Sequence, residues 1–115
     1  MDKKVEISML CDIYGKLLTE KQFEFINDYY NNDLSLSEIA ENNDITRQAV
    51  RDIIKKGERK LFEYEEKLGF MKKEIMQEEL IDEILSSIDN IEKTIQDKET
   101  SKMFKDVKEK LNKLV

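Results

Sequence analysis

One stretch of this chain, LSLSEIAENNDITRQAVRDIIKKGERKL, ending at Leu61, leaves little choice of local fold. Ser35-Leu36-Ser37-Glu38 has the form of a capping box, in which a hydroxyl and a carboxylate three residues apart satisfy the free N–H groups of a helix start. The helix it opens runs to about Glu41 and carries Ile39 and Ala40. Asn42-Asn43-Asp44 follows, residue types that tolerate the left-handed backbone of a tight turn. Thr46 is placed to cap a second helix. The small Ala40 allows a close helix crossing, and Ile45, Val50 and Ile53 are expected to supply the apolar wedge between the two helices. Arg47, Gln48 and Arg51 then fall on the outer side. Two short helices in this relation form a helix-turn-helix, which lays the start of its second helix in the major groove of DNA.

The rest of the chain predicts more helix. Among 115 residues there is no proline and there are three glycines, Gly15, Gly57 and Gly69. Apolar residues at Val5, Met9/Leu10, Ile13/Tyr14 and Leu17 recur at helical spacing. Thr19-Glu20-Lys21-Gln22 is another capping box. It opens a helix with Phe23, Ile26 and Tyr30 on one face and Phe25 and Tyr29 beside it, ended by Asn31-Asn32-Asp33. The second helix of the motif continues its apolar face through Val50, Ile53/Ile54, Gly57, Leu61, Tyr64 and Leu68, and Gly69 is a C-terminal stop. Beyond it, Ile81, Ile84, Ile88, Ile91 and Ile95 step by three and four, a heptad seam. After a break at Asp97–Thr100, Phe104, Val107, Leu111 and Leu114 repeat that step. The expected architecture is all-α with about six helices. Residues 1–69 form a helix-turn-helix domain, and residues 70–115 form a helical extension read as a dimerisation or docking segment; the alternative is that the Ile81–Ile95 seam packs within the chain against Phe104–Leu114.

Charge sharpens the functional reading. The formal net charge of −6 opposes non-specific DNA binding, which rests on phosphate neutralisation. Yet Thr46–Lys60 holds six cations against two carboxylates, a local charge of +4. Positions 47, 51 and 55 share one helical face, with Gln48 beside them. The candidate DNA-binding residues are therefore Thr46, Arg47, Gln48, Arg51, Lys55 and Lys56. Thr46 fixes the helix start, Arg47, Gln48 and Arg51 approach bases, and Lys55 and Lys56 hold phosphates. Arg59 and Lys60, and in part Lys56, also suit surface ion pairs with Asp52, Glu63 or Glu66 at helical spacing.

Several function classes drop out. The chain has no histidine, so histidine acid–base chemistry and Cys/His zinc sites are excluded. Cys11 stands alone, which rules out an intrachain disulfide and suits a reducing compartment. It reads as a buried core residue rather than a nucleophile. There is no glycine-rich phosphate loop, no long apolar span and no apolar leader behind the charged start. A cytoplasmic, non-catalytic protein without metal or cofactor is expected. The aromatic residues Tyr14, Phe23, Phe25, Tyr29, Tyr30, Phe62 and Tyr64 read as core or dimer packing before they read as a base-stacking platform.

LSLSEIA followed by DITRQAVRDI resembles the region-four helix-turn-helix of bacterial sigma factors. That resemblance implies that Thr46, Arg47 and Arg51 cap the recognition helix or touch promoter DNA. Gln48 stands where that family usually has Glu, and Ala49 and Asp52 stand where Arg and Gln are common. Gln48 retains the chemistry to bond an adenine edge, whereas Asp52 sets a negative charge against phosphate. The longer run CDIYGKLLTEKQFEFINDYYNNDLSLSEIAENNDITRQAVRDIIKKGERKLFEYEEKLGF is similar to the YlxM family of small helix-turn-helix proteins. Members are typically encoded beside genes for the signal recognition particle protein and its receptor. The resemblance implies a transcription-regulating or accessory role in that pathway. The helix-turn-helix itself points to double-stranded DNA as a partner, and the Ile81–Ile95 seam points to a homodimer, since helix-turn-helix readers usually bind two-fold half-sites as dimers. The alternative is an interaction protein that no longer binds DNA and docks through its helices on the signal recognition particle protein, its RNA or its receptor.

Overall fold

The computed structural model describes Met1–Val115. It is 82% helical, with six α-helices and no strand. The helices are α1 (Lys3–Tyr14), α2 (Glu20–Tyr30), α3 (Leu36–Asn43), α4 (Arg47–Leu68), α5 (Phe70–Glu92) and α6 (Lys98–Asn112). A single 3₁₀ turn, Gly15–Leu17, follows α1. Two units result, Met1–Met71 and Lys72–Val115.

The caps explain where the helices begin. Both predicted boxes form in full. The Thr19 hydroxyl accepts from the Gln22 N–H and Gln22 Oε1 accepts from the Thr19 N–H, each at 3.1 Å. Ser35 and Glu38 repeat the arrangement at 3.1 Å and 3.1 Å. Asp2 caps α1 and Asp97 caps α6. Gly69 ends α4 at φ 64°, the left-handed conformation expected of a glycine stop.

In the first unit α4 is the spine against which α1, α2 and α3 all pack. Its core comprises Ile7, Leu10, Cys11, Tyr14, Leu18, Phe25, Ile26, Ile39, Ala40, Val50, Ile54 and Leu61. Several inner faces are rotated from the sequence expectation. On α1, Cys11 is buried as expected and Ile7 is buried with it, while Val5 and the following Leu17 are exposed. On α2, Phe25 and Ile26 point inward with Gln22, and Phe23 and Tyr29 lie outside. Leu68 is likewise exposed. The wedge behind the turn is Val50 with Ile54; Ile53 is half-buried and Ile45, 37% exposed, is not part of it. Gly57 explains how α2 reaches α4. A Cβ there would lie 2.6 Å from Ile26 Cδ1 and 3.2 Å from Gln22 Cβ, so the two helices touch where only hydrogen fits.

In the second unit Ile81 and Ile88 are buried, but Ile84 and Ile91 are exposed. Ile95 falls beyond the end of α5. The heptad reading is corrected accordingly. The inward line on α5 runs Ile81, Leu85, Ile88, set by a broader helical face rather than a strict seam. On α6 the less exposed positions are Thr100, Phe104, Lys108 and Leu111, while Val107 and Leu114 are exposed. Lys108 joins the helices, donating to Glu92 at 2.8 Å and Asp89 at 3.2 Å. Those carboxylates hold its ammonium above the usual lysine range.

Two outcomes follow from this packing. Gly57→Ala should destabilise the chain by about 1–3 kcal/mol in urea unfolding, because overpacking outweighs the gain of up to about 1 kcal/mol in helix propensity. Burial pushes the Cys11 thiol from 9.0 up to about 11, with Asp12 adding to the rise. Between those values the folded chain keeps a proton that the unfolded chain has lost. Stability should therefore be level below pH 9 and fall as pH rises toward 11, less steeply in Cys11→Ala. Urea midpoints measured across that range check the sign.

Candidate nucleic-acid interface

The turn between α3 and α4 is built from the residues that suggested it. Asp44 adopts φ 53° and ψ 41°, and its N–H reaches back to the Ala40 and Glu41 carbonyls. The Ile45 N–H follows to the Ala40 carbonyl at 3.2 Å. The Asn43 amide donates to the Ile39 carbonyl at 2.8 Å. These bonds use up the last carbonyls of α3 and turn the chain into α4. Thr46, extended at ψ 154°, then accepts from the Ala49 N–H at 3.0 Å. Thr46 is thus the N-cap, and the helix proper begins at Arg47.

Arg47, Gln48, Arg51, Lys55 and Lys56 are all exposed on α4. Arg47, Gln48 and Arg51 line a hollow of about 350 Å³ together with Leu36 from the first turn of α3. The guanidinium groups of Arg47 and Arg51 and the Lys56 ammonium have no hydrogen-bond or ion-pair partner in the protein. Unpaired cations at a helix start, where backbone N–H groups and the helix dipole add positive potential, suit an anion. Gln48 and Lys55 are engaged. The Gln48 amide donates to Asp52 at 3.0 Å, and Lys55 lies 3.8 Å from Glu58. The expected ion pairs of Lys56, Arg59 and Lys60 with Asp52, Glu63 or Glu66 do not form, so those cations are free as well.

Glu58 was not singled out by the sequence, where it reads as one more surface carboxylate of a charged helix. It is 6% exposed. Its carboxylate accepts from the Tyr30 hydroxyl and pairs with Lys3 at 3.6 Å and Lys55 at 3.8 Å. With Tyr29, Tyr30, Leu36, Arg51 and Ile54, these groups line a second hollow of about 430 Å³ beside the first. Burial and then Glu58 push the Tyr30 hydroxyl well above the ordinary tyrosine range, so it stays a donor at neutral pH. A buried carboxylate needs such partners. The network ties α1 and α2 to the outward face of α4 and brings Lys3, from α1, alongside Arg51 and Lys55. The only signal available beforehand was position 58 falling one residue after Gly57 on the inner side of α4.

The chemistry on offer is binding through cations, an amide and a capped helix start. No group of acidic or cysteine side chains is placed to hold a metal ion, and no helix is long and apolar enough to cross a membrane.

Comparison with known proteins agrees with this geometry. Residues 1–101 match a family model described as "Putative helix-turn-helix protein, YlxM / p13 like". A UPF0122 protein of Acetivibrio thermocellus is 44% identical over 115 residues, spanning 100% of this chain and 98% of its own length. A UPF0122 protein of Clostridium perfringens is 45% identical over 105 residues, 85% of this chain and 94% of the relative. One of Fusobacterium nucleatum is 54% identical over 84 residues, 71% of this chain and 81% of the relative.

Tyr30→Phe should lower stability by about 1–3 kcal/mol, because it strips a donor from the buried Glu58 carboxylate without opening a void. A shift in urea midpoint at unchanged slope would register that loss.

Proposed function

This chain belongs to the UPF0122 family of YlxM / p13-like helix-turn-helix proteins, and we propose that it is a cytoplasmic, non-catalytic DNA-binding regulator working as a homodimer. In this reading α4 enters the major groove start-first. Arg47 and Arg51 approach base edges, Gln48 joins them by exchanging its bond to Asp52 for a base, and Lys55 and Lys56 hold phosphates. The observation that carries it is the pair of unpartnered guanidinium groups on the first turns of a helix capped by Thr46. Behind the face Glu58 is buried and already neutralised by Lys3 and Lys55, which leaves Asp52 as the one carboxylate on it between Arg47 and Lys56.

A second reading has its own support. Asp52 sits in the middle of the outward face, and α5 carries seven carboxylates from Glu74 to Glu92 with no cation among them. Such a surface suits a basic partner. The family resemblance supplies a candidate in the signal recognition particle protein, its RNA or its receptor, in whose pathway either reading would place the chain.

The test is a fluorescence-anisotropy titration with double-stranded DNA from the chain's own upstream region, against scrambled DNA, at several salt concentrations. Sequence-dependent binding supports the regulator. Arg51→Ala should then cost about 1–3 kcal/mol on the specific site, and Arg51→Glu should abolish binding. Lys56→Ala should weaken both DNAs alike and reduce the salt slope by about 1. No binding even at low salt refutes the DNA reading and turns the search to the targeting-particle components.

A further inference from the structure

The unit Lys72–Val115 holds two helices but only two buried side chains, Ile81 and Ile88, and no residue of α6 is buried. Helices of this length gain most of their stability from packing an apolar face. These two leave a large one open. Met76, Leu80, Ile84 and Ile91 on α5, and Met103, Val107 and Leu114 on α6, are each between 37% and 70% exposed.

The exposed residues are ordered. At 3.6 residues per turn, Met76, Leu80, Ile84 and Ile91 lie about a quarter turn round α5 from Ile81, Leu85 and Ile88. Met103, Val107 and Leu114 lie about a quarter turn round α6 from Phe104 and Leu111, in the same sense. The connection 93–97 is short and α6 turns back to set Lys108 against Asp89 and Glu92. For two helices joined this way and running antiparallel, stripes offset in the same sense emerge on one side of the pair. A quarter turn is also the angle between the two neighbours of a helix in a four-helix bundle.

Charge selects the neighbour. From Glu74 to Glu92, α5 has seven carboxylates and no cation, whereas residues 98–113 carry six lysines and three carboxylates. The groups edging the open face are Glu79 and Glu83 on α5, which have no ion pair, and Lys110 on α6, which lies 2.9 Å from Asp106 of its own helix. Setting α5 against a second α5 would oppose like charges, and setting it against a second α6 opposes unlike ones. We propose that a second copy of this chain covers the face, α5 of each copy lying along α6 of the other to close a four-helix bundle about a two-fold axis. This rests on the homodimer of the preceding reading and adds the surface and the order of helices. It is independent of whether DNA is bound.

Sedimentation velocity on the full chain, without DNA, tests it. The wild type should be a dimer at micromolar concentration. Leu80→Gln with Val107→Gln should weaken dimerisation by about 100-fold or more, since four apolar side chains leave the interface per dimer, while circular dichroism shows the helices retained. Glu83→Lys alone and Lys110→Glu alone should each weaken it by about 3- to 10-fold, and the two together should restore it toward wild type. A wild-type chain that stays monomeric overturns the proposal and leaves the face to a different protein. So does a dimer indifferent to Leu80→Gln with Val107→Gln, or one strengthened by Glu83→Lys alone, which would set α5 against α5. A DNA titration on the same samples separates the two ideas. A dimer with a flat titration refutes the DNA reading alone, and a monomer that binds DNA refutes the bundle and the homodimer while leaving the DNA reading standing.

Discussion

The contact between α2 and α4 at Gly57 governs the first unit. Ile26 and Gln22 press on α4 where a methyl group would collide, and this close approach lets Phe25, Ile39, Val50 and Leu61 be fully buried around one helix of 22 residues. Because α4 is both the spine of the core and the carrier of Arg47 and Arg51, the outward face inherits its orientation from that packing. No loop intervenes between the buried residues and the exposed cations. A helix interior is a costly place for glycine, by about 1 kcal/mol relative to alanine, and the close crossing is the compensation.

Much of this was legible in the sequence because it is local. Capping boxes act over three residues, a left-handed stop over one, and both leave signatures independent of the rest of the fold. Thr19–Gln22, Ser35–Glu38, Thr46 and Gly69 all read correctly for that reason. Which apolar residue of a crowded pair turns inward was less legible, since periodicity fixes a face only to within about one position. Phe25 is buried where Phe23 is exposed, and Ile54 is buried where Ile53 is half-buried, a choice made by the packing of α2 and α3 on α4 rather than by spacing. The burial of Glu58 left only the faint signal of its place beside Gly57. It depends on Tyr30 and Lys3, 28 and 55 positions away, meeting one carboxylate.

Electrostatics divide the same helix into two parts. Toward the core, Glu58 gathers Tyr30, Lys3 and Lys55 into a neutralised cluster. Toward solvent, Arg47 and Arg51 remain unneutralised. Such a division suits recognition, because groups already paired need no reorganisation and groups left unpaired lose only water when an anion arrives. Gln48 with Asp52 lies between these cases. An exposed hydrogen bond of this kind is worth about 1 kcal/mol, weak enough to exchange for another partner and strong enough to hold the amide meanwhile.

The start of α5 has a property of another kind. The Phe70 N–H donates to the Tyr14 hydroxyl at 3.1 Å, and the Met71 N–H donates to Glu65 at 2.9 Å, while that hydroxyl donates to the same carboxylate at 2.8 Å. Residues from α1 and α4 thus stand in for a cap that the sequence just before Phe70 does not supply. Nucleation is the unfavourable step of helix formation, and here the nucleus is provided by the neighbouring core. The first turn of α5 is therefore held by side chains of α1 and α4, and amide exchange along α5 should rise with distance from that anchor.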